Sequence, residues 1–195
     1  LPWRQDREPY HVWLSEIMLQ QTRVEAVKGY YARFLQALPT IQALSEVPEP
    51  QLLKLWEGLG YYTRARNLKK AAVVIMTEHH GVFPQDYAAI RALPGIGDYT
   101  AGAISSICFE EKPPAVDGNV LRVAARLCDY HGCTDDPKVK KAITSALAEI
   151  YPPEAGNFTQ ALMELGATVC LPNGAPRCEV CPVGPHCLAR KNGTI

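Results

Sequence analysis

Residues 93–104 read LPGIGDYTAGAI and lie between a short segment with helical periodicity and a longer one. Gly95 and Gly97 flank a single apolar residue, which is typical of a tight hairpin between two helices. The amide groups that open the second helix have no partner within it and can bind an anion such as phosphate. An ordinary helix–helix turn would need the same glycines for its backbone angles. The three residues Gly-Ile-Gly alone therefore leave both interpretations open.

The complete twelve-residue string is more specific than its glycines. It resembles the helix-hairpin-helix motif of DNA repair proteins. That resemblance implies that the hairpin amides bind the DNA backbone without reading its sequence. Gly95, Gly97 and Thr100 are then the candidate DNA-binding residues of the motif.

Helical periodicity continues on both sides of this string. Apolar residues recur at spacings of three and four in five longer segments, which predicts helices at residues 9–21, 24–38, 63–80, 137–151 and 154–168. Thr40, Pro50 and Asp86 each precede a shorter segment of this kind, as residues at helix starts do. No stretch keeps the alternation of a strand, so the predicted fold class is all-α. Residues 111–114, EKPP, are the predicted boundary between two helical lobes.

The composition of the 195-residue chain excludes several classes of protein. With 47% hydrophobic and 21% charged residues, the chain is neither disordered nor of low complexity. Lys plus Arg and Asp plus Glu number 20 each, so no overall basic charge indicates a nucleic-acid partner. No apolar run is long enough to span a membrane. The first residues, LPWRQD, resemble an excised fragment rather than a secretory signal, which favours a cytoplasmic location.

Four of the seven cysteines lie close to the end of the chain, at Cys170, Cys178, Cys181 and Cys187. This distribution favours a metal site in a reducing compartment over a set of disulfides. Four thiolates can hold either a tetrahedral zinc ion or a 4Fe-4S cluster, and the spacing alone does not decide between them. His186 is expected to be a solvated neighbour of the site. Cys108, Cys128 and Cys133 lack ligand spacing and are expected to be buried or incidental thiols.

Two carboxylates stand in contrasting local sequences. Glu16 interrupts the apolar helix VWLSEIML, whereas Asp117 opens the helix DGNVLRV. A carboxyl group among apolar side chains tends to keep its proton, and one at a helix N-terminus is favoured as the anion. One acid and one anion suit the cleavage of a glycosidic bond through an oxocarbenium-like transition state. Taken singly, each residue could equally be a solvent-facing glutamate or a plain N-cap.

Five strings together identify a family. They are HVWLSEIMLQQT (11–22), GLGYYTRARNL (58–68), the hairpin string, VDGNV (116–120) and the cysteine loop. In this order, and over essentially the whole chain, they resemble the adenine DNA glycosylases of the MutY family. The resemblance implies a six-helix barrel with the hairpin at residues 5–111. It further implies a cluster-bearing lobe at 112–195, joined by the N-terminal few residues, and an active-site cleft between the two lobes.

The cysteine loop resembles the 4Fe-4S loop of the endonuclease III and adenine glycosylase superfamily. The resemblance therefore implies a 4Fe-4S cluster rather than zinc. The family usually has six residues between the first two cysteines, and this chain has seven. One added loop residue costs well under about 0.6 kcal/mol of closure entropy, so the ligands can still meet.

The resemblance also implies catalytic roles. Glu16 matches the general acid that protonates a ring nitrogen of the flipped adenine. Asp117 matches the anion that stabilises the sugar cation, and Asn119 matches the residue that orients this anion. Tyr99 matches an active-site tyrosine that supports the same transition state.

Further positions match residues that contact the adenine or the DNA. Gln160, Trp3 and Arg4 stand where the family lines the adenine pocket, although Trp3 and Arg4 could simply be packed or solvated. Gln21 and Tyr61 match the side chains that the family wedges into the duplex. Gln20 and Thr22, beside Gln21, are further candidate DNA contacts. The basic residues Arg64, Arg66, Lys69 and Lys70 could meet phosphates or could form a solvated helix face.

The implied function is removal of adenine mispaired with 8-oxoguanine or guanine in double-stranded DNA, by a monomeric enzyme of the bacterial cytoplasm. Two alternatives remain at this point. An endonuclease III-like lyase would use a lysine at the position of Tyr99, and a Schiff base would be its expected intermediate. A non-catalytic DNA-binding module with structural zinc would give Glu16, Asp117 and Asn119 no reason to occur together. Recognition of the opposite base, which the family assigns to a further C-terminal domain, is not determined by these residues.

Overall fold

The computed structural model describes residues 1–195, and every regular element in it is helical, which confirms the all-α class. The α-helices are α1 (Pro9–Leu19), α2 (Val24–Ala37), α3 (Ile41–Glu46), α4 (Glu49–Trp56), α5 (Thr63–Glu78), α6 (Tyr87–Ala92), α7 (Asp98–Phe109), α8 (Gly118–Leu127), α9 (Pro137–Ile150), α10 (Ala155–Glu164) and α11 (Leu188–Asn192). Single 3₁₀ turns occur at Pro2–Arg4, Cys178–Val180 and Gly184–His186. None of the helices combines the length and apolar character that a membrane crossing requires.

Several helix starts follow from local chemistry, and those after Thr40 and Asp86 lie where they were predicted. The side chains of Thr40, Asp86 and Asp136 each accept a hydrogen bond from an amide in the first turn of α3, α6 and α9, respectively. Pro50 was expected to precede a helix and instead is the second residue of α4, after Glu49. A proline is tolerated there because the amides of the first turn have no partner within the helix.

The predicted helix at residues 154–168 divides into two parts. The α-helix α10 ends at Glu164, and a π-helical turn follows at Leu165–Val169. A π turn has hydrogen bonds between residues five apart, and the apolar spacing of residues 154–168 did not reveal it. The turn places Gly166 beside Asn119, the neighbour of Asp117, where an added Cβ would lie 2.6 Å from the Asn119 Cβ.

Two hydrophobic clusters hold the fold. The larger one joins 30 buried residues between Trp3 and Ala115, and the smaller one joins Val116, Val120 and Leu121. We call residues 1–115 the hairpin lobe and residues 116–195 the cysteine lobe. The division between the clusters lies next to the predicted boundary, while the domain limits 5–111 and 112–195 themselves stay a prediction.

Helices α1 and α7 are the central pair of the hairpin lobe. Eight residues of each are buried, and the two helices pack against each other. A helix that is apolar nearly all round is stable only when other elements enclose it. This packing carries Glu16 of α1 and Tyr99 of α7 to the same end of the lobe.

Helix α10 joins the cysteine lobe to α7. It approaches so closely that a Cβ on Gly156 would lie 2.8 Å from the backbone oxygen of Ser106. Thr159 then donates to the Ser106 hydroxyl at 2.8 Å and lies 2.8 Å from the Tyr151 hydroxyl. These buried polar contacts fix the register between the two lobes and hence the width of the space between them.

Candidate active site

A cleft of about 1020 Å³ opens where the two lobes meet. The hairpin lobe and the cysteine lobe both contribute side chains to its wall. Of the residues predicted from the sequence, the cleft brings together Trp3, Arg4, Glu16, Gln20, Gln21, Thr22, Tyr61, Tyr99, Asp117 and Asn119. Gln160, Gly95, Gly97 and Thr100 do not line it.

Glu16 lies in α1 with 7% of its surface exposed. Burial raises the pKa of its carboxyl from the ordinary value of 4.5 to about 7, because the charged form loses its hydration. Tyr99 and Arg4 act in the opposite direction, and the nearby Asp117 adds a smaller increase. A large fraction of Glu16 therefore keeps its proton at neutral pH, which a general acid requires.

Asp117 is the N-cap of α8, as predicted. Its Oδ1 accepts a hydrogen bond from the amide of Val120 at 2.8 Å, and its Oδ2 accepts one from Nδ2 of Asn119 at 2.8 Å. Both donors and the positive end of the helix are directed at this carboxylate. The cleft therefore holds a buried carboxyl from one lobe and an N-cap carboxylate from the other.

Asn119 is itself held by Arg122, which sequence reasoning did not identify. Arg122 Nη2 donates to Oδ1 of Asn119 at 2.9 Å, so the amide can only present its Nδ2 group to Asp117. The same guanidinium donates to the carbonyl oxygens of Gly166 and Cys170, at 2.8 and 2.9 Å. These acceptors lie more than 40 residues from Arg122 along the chain, so no local sequence pattern marks Arg122 as part of the site.

Tyr99 extends from the first turn of α7 toward both carboxylates. Burial raises the pKa of its hydroxyl, and the negative potentials of Glu16 and Asp117 raise it further. The hydroxyl lies 3.7 Å from Sδ of Met163. Tyr99 therefore remains a neutral hydrogen-bond donor within the cleft.

The residues predicted for an adenine pocket occupy two places. Trp3, Arg4 and Gln160 line a small cavity behind Glu16, separate from the main cleft. Trp3 belongs to the core and packs edge-on against Tyr31 at 5.5 Å, and Trp3 and Arg4 also reach the cleft wall. Arg4 forms an ion pair with Glu164 at 2.6 Å.

The predicted wedge residues lie at the mouth of the cleft. Gln21 is exposed, and Tyr61 is 66% exposed. Both have left-handed backbone conformations, with φ of 56° and 47°. An exposed aromatic ring on a strained turn is unusual for a side chain without a binding role.

The hairpin forms a second surface next to the cleft. Gly95 has φ of 79°, and the amides of Asp98, Tyr99 and Thr100 donate to no backbone acceptor. They remain available to an anion. Thr100 as a whole is only 2% exposed, and its hydroxyl lies 3.4 Å from Nε2 of Gln20, so its side chain is closed to a ligand.

The basic residues of α5 do not form a row of free charges. Arg64 donates to backbone carbonyls, Arg66 pairs with Glu49 at 2.8 Å, and Lys69 donates to the carbonyl of Val47 at 2.5 Å. The prediction that these side chains could contact phosphates is therefore wrong for Arg64, because its guanidinium faces the protein.

The four C-terminal cysteines line one small cavity in the cysteine lobe. Arg126 contacts two of them, because its Nη1 lies 3.2 Å from Sγ of Cys170 and its carbonyl oxygen accepts from Sγ of Cys187. No three of the side chains converge as ligands of a single ion do. Four thiols spread around a cavity fit a group with several attachment points. His186 is exposed and does not line the cavity.

The other cysteines lie elsewhere. Cys108 is half-buried, and burial raises the pKa of its thiol to about 12. Cys128 and Cys133 are exposed. Of the two expectations for these thiols, buried or incidental, only the second fits them.

Comparison with known proteins places this architecture among relatives. Residues 14–152 match the model of the HhH-GPD superfamily base excision DNA repair protein. An adenine DNA glycosylase of Buchnera aphidicola (subspecies Baizongia pistaciae) is 42% identical over 197 residues, which cover all of this chain and 55% of the relative. An adenine DNA glycosylase of Homo sapiens is 42% identical over 204 residues, covering 98% of this chain and 37% of the relative. The chain spans about half the length of the bacterial relatives it matches.

Solved structures resemble the whole fold. A thermostable thymine-DNA glycosylase superposes with a TM-score of 0.87 at 29% identity, covering 98% of this chain and 88% of that protein. A non-covalent endonuclease III–DNA complex superposes with a TM-score of 0.81 at 25% identity, with the same coverage of both chains.

Proposed function

The chain belongs to the HhH-GPD superfamily of base excision DNA repair proteins, and from this premise we propose that it hydrolyses the N-glycosidic bond of adenine in DNA. The relatives with identities near 40% support adenine as the base, because they are named adenine DNA glycosylases. The proposed substrate is duplex DNA in which adenine is mispaired with guanine or 8-oxoguanine. The protein would act on it as a monomer, in the cytoplasm.

One observation carries the proposal: the buried carboxyl of Glu16 and the N-cap carboxylate of Asp117 share one cleft. Excision of a base needs a proton on the leaving group and a negative charge beside the sugar. Glu16 can supply the first because burial raises its pKa to about 7. Asp117 can supply the second because an amide and Asn119 hold its two oxygens.

The proposed reaction begins with transfer of the Glu16 proton to a ring nitrogen of the extruded adenine. The bond between the sugar C1′ and the base nitrogen then breaks, and its electron pair leaves with the adenine. The positive charge on the sugar is stabilised by Asp117, with Tyr99 as a neutral donor nearby. Water adds to C1′ and gives its proton to the Glu16 carboxylate, which restores the acid and leaves an abasic site.

Access to the bond requires extrusion of the adenine, at a cost of a few kcal/mol. We assign Gln21 and Tyr61, at the mouth of the cleft, to the space that the base vacates, with Gln20 and Thr22 beside them. The hairpin at Gly95 and Gly97 would hold the phosphate backbone through the free amides of α7. Gln160, Trp3 and Arg4, which lie beside Glu16, would contact the base.

We further propose that Cys170, Cys178, Cys181 and Cys187 hold a 4Fe-4S cluster, in the cavity that their side chains surround. When bound, the cluster would supply a four-point cross-link between the end of α10 and the C-terminal segment. Cys170 follows the π turn whose Gly166 packs on Asn119, so this segment also borders the active site.

A single-turnover excision assay tests the proposal. Duplexes carry adenine opposite 8-oxoguanine, guanine or thymine, thymine opposite guanine, or an oxidised pyrimidine. We expect release of adenine from the first two, and strand breakage only after alkali, because Tyr99 stands where a lyase needs an amine. Release of thymine or of the oxidised pyrimidine instead would contradict the assignment of adenine.

Asp117→Asn is the matched variant for this assay. It should lower the excision rate at least about 10³-fold, because the lost charge acts only in the transition state. Its affinity for the duplex should stay within about tenfold of wild type. Excision retained above a few per cent would remove Asp117 from the proposed mechanism.

A further inference from the structure

The guanidinium of Arg64 is surrounded by backbone oxygens from two separate segments. Its Nη1 donates to three carbonyl oxygens at the end of α1, those of Ile17 (2.8 Å), Met18 (3.2 Å) and Gln20 (2.7 Å). Its Nη2 donates to the carbonyl oxygens of Leu59 and Gly60, at 3.0 and 3.3 Å. One side chain therefore joins the end of α1 to the loop that precedes α5.

These two segments carry the exposed side chains at the mouth of the cleft. Gln21 directly follows the bound carbonyl of Gln20, and Tyr61 directly follows that of Gly60. Both residues have positive φ, which costs a non-glycine residue about 1 kcal/mol or more. Such a conformation persists only where neighbouring contacts enforce it. Arg64 supplies those contacts immediately before each of the two residues.

We propose that Arg64 is a positioning residue that fixes the separation and direction of Gln21 and Tyr61, so that both enter the duplex together when the base is extruded. The inference rests on the proposed function and deepens it. Arg64 would act through the two turns, with no contact of its own to the DNA. The sequence suggested Arg64 as a possible phosphate ligand. Its guanidinium instead points into the protein, toward backbone carbonyls.

Only an arginine can join the end of α1 to the loop before α5 in this way. A planar guanidinium presents its donors in a fixed fork, whereas an ammonium group is a compact charge that cannot reach both segments in one geometry. The guanidinium of Arg64 also lies over an aromatic face, with its Cζ 5.4 Å from the centroid of the Trp56 ring. Trp56 in turn donates from Nε1 to the carbonyl of Gly60 at 3.0 Å. The loop before α5 is thus held from two sides, while the end of α1 is tied to it by Arg64.

The first test measures base extrusion directly. Arg64→Lys is compared with Arg66→Lys, a control on the same helix whose guanidinium is exposed and pairs only with Glu49. Both are combined with Asp117→Asn so that the DNA stays intact. The probe is a duplex with 2-aminopurine, whose fluorescence rises when it leaves the stack, placed opposite guanine. We expect Arg64→Lys to lower the extruded fraction at saturating protein about tenfold and Arg66→Lys to change it less than twofold.

The second test uses excision with Asp117 intact. Adenine opposite guanine is compared with adenine in a single-nucleotide bulge, where extrusion costs less. Arg64→Lys should slow excision of the paired adenine at least about tenfold more than that of the bulged adenine. A residue needed only for folding would lower both rates by the same factor.

Rates and amplitudes are referred to the folded fraction measured by circular dichroism. Arg64→Met, which keeps an unbranched side chain and lacks the fork of donors, is the second variant and should behave like Arg64→Lys. Equal losses on both substrates, or unchanged extrusion in both variants, would overturn the inference. Wild-type protein that extrudes 2-aminopurine but releases no adenine would contradict the proposed function instead, and the fluorescence comparison would still decide the role of Arg64.

Discussion

The two lobes of this protein are stabilised in different ways. The hairpin lobe has a cluster of 30 buried apolar residues, whereas the cysteine lobe has a cluster of three, Val116, Val120 and Leu121. Helix α9, the longest of the cysteine lobe, contains no fully buried residue. Burial of apolar surface is the main source of folding free energy, so the second lobe depends on something else.

Polar contacts and the cysteine cavity provide that support. Arg122 and Arg126 tie α8 to the carbonyls of Cys170 and Leu171, and Asn192 donates to Asp129 at 2.7 Å. Each such bond contributes only about 0.5–1.5 kcal/mol net. From this contrast we expect the hairpin lobe to fold by its own core and the cysteine lobe to depend on the proposed cluster.

The largest effect should follow from removal of one proposed ligand. Cys178→Ser should abolish the visible absorption of the purified protein and unfold the cysteine lobe, because a missing ligand leaves the other three without a complete site. All three tryptophans, Trp3, Trp13 and Trp56, belong to the hairpin lobe, so tryptophan fluorescence reports on that lobe alone. We expect its unfolding transition to persist while helical circular dichroism falls.

Cys133→Ser is the control for this experiment, because Cys133 is exposed and does not line the cavity. It should keep the wild-type absorption and helicity. A colourless Cys178→Ser protein with undiminished helicity and excision would contradict the expected difference between the lobes, since the cysteine lobe would then be stable without the cluster.

A smaller effect should separate the two apolar clusters. Leu44 of α3 is fully buried in the large cluster, whereas Leu147 of α9 is half-buried beside the small one. Leu44→Ala should cost about 3 kcal/mol of unfolding free energy, because it leaves a cavity in a closed core. Leu147→Ala should cost about 1 kcal/mol or less, since water can fill the gap. Urea unfolding, followed by fluorescence and by local hydrogen exchange, measures the free energy lost in each variant. Equal losses would contradict the difference between the two clusters.

A further effect depends on pH and concerns Glu16, the one charged residue buried in the large core. Its pKa is about 7 in the folded protein and near 4.5 when unfolded, so the folded state binds more protons between these values. Stability from this group is complete below pH 4.5 and is lost as the pH rises through 7. Relative to Glu16→Gln, wild-type unfolding free energy should therefore fall by up to about 3 kcal/mol between pH 4.5 and pH 8.

Urea unfolding of the two proteins at intervals across this range measures that difference. Glu25→Gln is the control, because Glu25 is exposed and pairs with Lys28 on the surface of α2. Its difference from wild type should not vary with pH. Parallel curves for Glu16→Gln and wild type would show that the carboxyl is ionised at little cost, and would remove the physical basis for its role as an acid.

Features that depend on neighbouring residues were predictable from the sequence. The helices, the hairpin at Gly95 and Gly97, and the caps at Thr40 and Asp86 follow from periodicity and from side chains that reach their own backbone. Asp117 and Asn119 are two residues apart and bond to each other in the same way. Even the raised pKa of Glu16 could be predicted, because the apolar residues that bury it include its own helix neighbours.

Features that join distant segments were decided only by the tertiary structure. Arg64 reaches the end of α1 across more than 40 residues, and Arg122 reaches Gly166 and Cys170 across a similar distance. The π turn and the place of Gln160 behind Glu16 likewise depend on how α10 packs on its neighbours. The sequence by itself determined which residue types were present and which local structures they form. Packing decided their partners, because a charged side chain bonds to whichever acceptors the folded chain brings within about 3 Å.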